Sequence, residues 1–152
     1  MTDPVEGGPA VEVDGEERVL VAVVGAHLTG MALNHQLTDR GAHLVRATRT
    51  APRYRLYDLG GAPARPGLVR TVADGVTDPG AGAIEVEVWS LDPCGFGSFV
   101  TLVPAPLCIG TVELDDGSRV AGFLCEEVAT RAARDVTEAG GWRAHLRSSS
   151  PS

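Results

Sequence analysis

Glycine and proline punctuate this chain too often to leave room for long helices. Nineteen glycines and ten prolines stand among 152 residues, about 19% where a soluble domain carries roughly 12%. Glycine permits turns and proline ends elements, so the chain has to be assembled from short pieces, and short pieces bury surface best as strands. The apolar pattern agrees. Val19 to Val24 is a largely β-branched run closed by Gly25, as a buried strand requires. Ile84 to Trp89 alternates, with Ile84, Val86 and Val88 on one face and Glu85, Glu87 and Trp89 on the other. Val112–Leu114 and Arg119–Cys125 flank Asp115-Asp116-Gly117, where Asp-Gly supplies the positive φ angles of a tight hairpin. Further short strands are expected over 42–50, 54–59 and 67–72. A helical turn or two is expected over 33–39, and helical pieces broken by Gly140-Gly141 over 129–146. No strand–helix alternation runs through the chain, so the expected class is α+β with a small barrel-like sheet and short flanking helices.

The net charge of −7 is lopsided. Asp3, Glu6, Glu12, Asp14, Glu16 and Glu17 put six negative charges in the first 17 residues, leaving 14 acids against 13 bases in the rest. Residues 1–17 read as a disordered acidic arm, 18–147 as one domain and 148–152 as a loose tail. A near-neutral body lacks the clustered basic face that phosphate backbones need, so nucleic acid is not an expected partner. Neither is a membrane, because no apolar stretch approaches the roughly 20 residues of a spanning helix. Three cysteines without CxxC spacing and a start without a secretory leader point to a reducing cytoplasm. Cys108 and Cys125 have apolar neighbours and read as small core residues.

All 13 basic residues are arginine. A chain without lysine cannot form a Schiff base to pyridoxal phosphate, hold a phosphate-loop lysine or run a Ser–Lys hydrolytic pair. Gly25-Ala26-His27-Leu28-Thr29-Gly30 has phosphate-loop spacing, but Met31-Ala32 stand where Lys-Ser/Thr belongs, and the nucleotide reading fails. What remains is a glycine-flanked turn after a buried strand, able to aim several backbone N–H groups at one carboxylate. His27 sits inside that turn, where a neutral imidazole can accept or deliver a proton. His35, His43 and His145 are weaker candidates. No HxH or HExxH spacing occurs, so neither a metal site nor a cofactor is expected. No GxSxG elbow is present, and Cys94 has no nucleophile signature. Glu85 and Glu87, two apart on one strand, are expected to form a solvated outer face.

Val24-Gly25-Ala26-His27-Leu28-Thr29-Gly30-Met31-Ala32-Leu33-Asn34 resembles the entry motif of the C-terminal domain of allophanate hydrolases. Later stretches agree in order: Thr50-Ala51-Pro52-Arg53-Tyr54-Arg55-Leu56-Tyr57, Pro66-Gly67-Leu68-Val69-Arg70, Glu85-Val86-Glu87-Val88-Trp89 and Phe96-Gly97-Ser98-Phe99. So do Pro104-Ala105-Pro106-Leu107-Cys108-Ile109-Gly110, Val120-Ala121-Gly122-Phe123-Leu124-Cys125-Glu126 and Gly140-Gly141-Trp142-Arg143. The resemblance runs from about 18 to 147.

It implies a γ-glutamylcyclotransferase-like fold, a small mixed β-barrel with helices beside it. It also implies decarboxylation of an N-carboxycarbamate-type compound in urea and allophanate nitrogen metabolism, without a metal, with His27 as general base. Gly25, Ala26, Leu28, Thr29, Gly30 and Tyr54 are the expected substrate-binding residues. The family's amidase domain is missing here, and its Ser–Ser–Lys machinery cannot exist without lysine, so the amide-cleaving step would belong to a separate amidase chain. A rival reading is a non-catalytic module that binds a small carboxylate or supplies a homodimer interface. A γ-glutamyl cyclotransferase is disfavoured, because Pro93-Cys94-Gly95-Phe96-Gly97-Ser98 offers no acid where those enzymes keep a glutamate.

Overall fold

Val21 and Ala22, on opposite faces of one strand, are 0% and 2% exposed, and a strand covered on both faces belongs inside a sheet rather than at its edge. The computed structural model describes residues 10–13 and 16–149, with the backbone alone at 10–13, 16 and 149. In chain order the elements are β1 (Ala10–Val13), β2 (Glu16–Val23), α1 (His35–Thr38), β3 (His43–Arg49), β4 (Tyr54–Asp58) and β5 (Pro66–Arg70). Then come β6 (Glu85–Leu91), α2 (Pro93–Val100), β7 (Leu107–Glu113), β8 (Arg119–Cys125), β9 (Arg134–Asp135) and α3 (Trp142–Ser149). Single 3-10 turns at Glu127–Thr130 and Thr137–Ala139 flank β9.

The larger sheet has the order β3-β6-β2-β8-β7, with β1 also paired to β2. β2 runs antiparallel to β6 and parallel to β8, placing Val23 opposite Glu87 and Ala22 opposite Gly122. The smaller sheet is β5-β4-β9, and its Tyr54, Leu56 and Leu68 join the same core as Val21, Val86 and Leu91. This is the expected α+β class, a mixed sheet with a few short helices of the cyclotransferase-like kind. The strands form two sheets over one core and do not close into a barrel. The strand expected over 42–50 is interrupted by a bulge between Leu44 and Arg46, and Val45 there is exposed.

Besides β9, a short strand inside the stretch expected as helical pieces, two parts of the chain differ from the sequence reading. Most of the expected acidic arm and the end of the tail (1–9, 14–15 and 150–152) lie outside the described residues. Within the arm, however, Ala10–Val13 pairs with Glu16–Val19, so that stretch is strand rather than loose chain, and Ser148 and Ser149 end α3. The other difference is α2, which no apolar period announces because Gly95 and Gly97 interrupt it. Its start is well specified: Asp92 accepts a 2.6 Å hydrogen bond from the Gly95 N–H and Pro93 occupies the first turn, as helix N-termini prefer. Burial of Phe99, fully enclosed, supplies the energy that intrinsic propensity does not.

The glycines separate into those the packing needs and those it does not. A Cβ on Gly122 would lie 2.5 Å from Val112 Cγ2 and 3.3 Å from Ala22 Cβ, whereas on Gly97 it would meet nothing within 4 Å. Gly122→Ala should therefore cost roughly 1–3 kcal/mol through overpacking, while Gly97→Ala should stabilise by up to about 1 kcal/mol through helix propensity. Urea unfolding of the two variants, with opposite signs expected, checks this.

Candidate active site

Because β2 is the middle strand, the loop that follows it lands between two neighbours. On one side is Glu87 of β6, and on the other the Phe123 end of β8. The turn over 25–30 is held by its own backbone: the Leu28 N–H donates to Gly25 O (3.0 Å), Met31 to Leu28 O (2.9 Å) and Leu33 to Ala26 O (2.8 Å). Asn34, at the start of α1, adds a side-chain bond to His27 O (2.9 Å). Gly25 is required here because a Cβ would run into the ring of Pro66.

His27 is 9% exposed. Its ring stands edge-on to Phe99 at 5.1 Å and tilted against Phe123 at 5.0 Å. Its Nε2 lies 2.7 Å from Gln36 Oε1 on α1. With Gln36 presenting its carbonyl oxygen, Nε2 carries the proton and Nδ1 keeps a lone pair. Burial against the two rings lowers the His27 pKa below its ordinary value; the bond to Gln36 opposes this and the nearby His35 reinforces it. The site is thus set up around a neutral imidazole.

Val24, Gly25, Ala26 and His27 form one wall of a cavity of about 100 Å³. Phe123, Leu102 and Leu107 make it largely apolar, and Arg65 is the charged group on its lining. No carboxylate lines it among the described residues. Within the loop, the backbone N–H groups of Gly25, Ala26 and His27 donate to no acceptor among the described residues. A run of free donors beside a neutral base can receive a small carboxylated molecule. The volume is far below that of pockets for drug-sized ligands, some 300–1,000 Å³.

Not all expected site residues meet there. Gly25, Ala26 and His27 do. Leu28 turns away to a second cavity with Trp142 and Arg143. Thr29 and Gly30 are exposed at the loop's far end, and the Thr29 N–H is already taken by Glu87 Oε1 at 2.8 Å. Tyr54 is fully buried elsewhere, its hydroxyl accepting from the Glu113 N–H at 2.9 Å. Among the described residues, no three His, Cys, Asp or Glu side chains cluster as metal ligands.

Sequence reasoning missed Glu87. Expected on a solvated face with Glu85, it is 8% exposed. Besides the Thr29 N–H, its Oε1 accepts from Thr29 Oγ1 (3.0 Å) and Trp89 Nε1 (3.2 Å). Arg143 closes the group with 2.8 Å to Thr29 O and 3.0 Å to Glu87 Oε2. Trp89, on the face taken to be solvated, was the available signal that the face is covered. Glu85, by contrast, is exposed as expected.

Residues 19–147 match the family model of the allophanate hydrolase C-terminal domain. The chain belongs to that family. It is 39% identical over 139 residues to the urea amidolyase of Saccharomyces cerevisiae, spanning 89% of this chain and 7% of that one. The crystal structure of Kluyveromyces lactis allophanate hydrolase superposes with a TM-score of 0.77 at 38% identity, covering 85% of this chain and 21% of that one. A uropathogenic E. coli-specific protein, c4763, matches with a TM-score of 0.75 at 34% identity, over 86% of this chain and 96% of its own. The chain thus spans a small part of the first two relatives and nearly the whole of the bacterial one. Among the described residues no helix is long and apolar enough to cross a membrane.

Two outcomes follow from this geometry. Glu87→Ala strands the Thr29 and Trp89 N–H groups and leaves Arg143 unpaired. The expected loss is about 2–3 kcal/mol, below that for a fully buried pair because Arg143 is 38% exposed, and chemical denaturation reads it. The second outcome concerns pH. The folded pKa of His27 lies below its unfolded value of about 6.5, so the stability associated with the neutral buried ring is complete above that pH. It is lost as pH falls from there through the folded value. Wild type minus His27→Gln, followed by thermal melts from pH 7.5 to 4.5, should show that acid-side decline.

Proposed function

We propose that this chain decarboxylates a small N-carboxylated carbamate or amide of the N-carboxycarbamate type, in urea and allophanate nitrogen metabolism. The observation that carries the reading is His27, a neutral imidazole held by Gln36 on a small cavity beside three unengaged backbone N–H groups. Those donors would hold the carboxyl group that departs. His27 Nδ1 takes the proton from that carboxyl group and returns it to the substrate nitrogen. The C–N bond breaks, its electron pair stays on nitrogen, carbon dioxide leaves, and a carbamate remains. No proton is consumed from solvent. The apolar walls favour a neutral product at the point of departure.

The relatives named allophanate hydrolase and urea amidolyase supply the metabolic context. The partner this reading calls for is an amidase, since these 152 residues contain no lysine and so no Ser–Ser–Lys machinery, and the compartment is the cytoplasm. A γ-glutamyl cyclotransferase would need an acid in the cavity, and its lining among the described residues holds none.

His27→Asn should lower the rate of carbon dioxide release from an N-carboxylated substrate by on the order of 10²–10⁴, after subtraction of the spontaneous reaction. The wild-type rate should fall on the acid side, below the ordinary histidine pKa, as the imidazole protonates. The variant should lack that limb. Equal rates for wild type and variant would leave a carboxylate-binding module in place of an enzyme.

A further inference from the structure

All 13 arginines lie between residues 18 and 147, and burial sorts them. The half-buried ones are Arg18, Arg40, Arg53, Arg55, Arg65 and Arg143. Five of these are committed within the protein. Arg18 donates to Ser90 O (2.9 Å), Arg40 to Gln36 O (3.0 Å) and Arg53 lies 3.4 Å from Glu113. Arg55 is clamped by Asp78 and Asp135, each at 2.6 Å, and Arg143 by Glu87 at 3.0 Å. Arg65 alone of the six has no side-chain acceptor among the described residues. No buried side-chain nitrogen lacks a partner among the described residues, so the Arg65 guanidinium is solvated rather than strained and is free to meet an anion supplied from outside.

Its place is well defined. The Arg65 backbone is tied on both sides, Leu59 N–H to Arg65 O at 2.9 Å and Arg65 N–H to Gly60 O at 3.1 Å. The next residue, Pro66, packs on Gly25 of the His27 loop. Arg65 therefore borders the same cavity as His27, and is the one charged side chain on an otherwise apolar lining.

We propose that Arg65 is the second anion anchor of this site, binding the carboxylate that the substrate keeps. The proposal rests on the His27 cavity being the substrate site and adds the side chain that would hold the second of the substrate's two carboxyl groups. The chemistry favours this division of labour. A cation on the departing carboxylate would hold the ground state more than the transition state, because that group loses its charge as carbon dioxide forms. A cation on the retained carboxylate gains, because the electron pair left on nitrogen spreads into that group. An arginine fork suits a planar carboxylate bidentately, which an ammonium does not.

The test is calorimetric titration of the wild type, Arg65→Gln and Arg65→Lys with malonate and with malonamate, which has one carboxylate replaced by an amide. The His27 ring resonance is followed in parallel by NMR. In the wild type both ligands should shift the His27 resonance, and malonate should bind at least about tenfold more tightly than malonamate. Arg65→Gln should weaken malonate binding by on the order of 10- to 100-fold and bring the ratio of the two affinities towards one. Arg65→Lys should recover part of the difference. An unchanged malonate-to-malonamate ratio in Arg65→Gln, with the His27 resonance still responding, overturns the Arg65 anchor and leaves the cavity reading standing. A wild-type His27 resonance that responds to neither ligand overturns both.

Discussion

The buried carboxylate of Glu87 holds together the parts of the molecule that matter for the site. It accepts from the loop after β2, from Trp89 on its own strand and from Arg143 on α3, so three segments far apart in sequence share one anion. Ionised groups are seldom buried without such compensation, and here every donor is itself a structural element that needs positioning. The Gly140-Gly141 pair lets this happen. The Glu85 N–H bonds to Gly140 O at 2.9 Å, and a Cβ on Gly141 would sit 2.6 Å from Glu85 Oε1. Only a backbone without side chains can lie that close to β6 and deliver Arg143 to Glu87.

The loop's two ends consequently do different work. At its far end, the anion-binding capacity of the turn is already used by an internal anion, Glu87. At its near end, Gly25, Ala26 and His27 keep their N–H groups free and face the cavity. A turn tied down by its own carboxylate loses little further freedom when a ligand arrives. The aromatic contacts of His27 serve the same end: Phe99 and Phe123 orient the ring, and by excluding water they keep it neutral.

Much of the architecture was legible because local signals coincide. The β-branched run at Val19–Val24, the alternation at Ile84–Trp89 and the Asp116-Gly117 hairpin each appear as strands near the expected bounds. Helix α2 was obscured because its glycines argue against a helix, while its cap at Asp92 and the burial of Phe99 argue for one. The burial won, and it depends on what α2 packs against. Glu87 was misread for a related reason. Period-two alternation reports which side chains share a face, and is silent on whether another element covers that face.

The sequence by itself determined the class of fold, the position of the turn carrying His27, the chemistries that a lysine-free chain cannot perform, and a family resemblance extending over nearly all of the domain. These depend on residue identity and on spacing within one element. Tertiary structure alone decided that the strands form two sheets over one core, that Leu28, Thr29 and Tyr54 stay away from the cavity, and that Glu87 and Arg143 meet behind the loop. It alone also put Arg65, which has no side-chain partner among the described residues, on the same cavity as His27, 38 positions earlier in the chain. The reason is physical: burial and electrostatic partnership are properties of what lies across space, and here the pairing of β2 with β6 and the contact of Pro66 with Gly25 bring those groups to the loop.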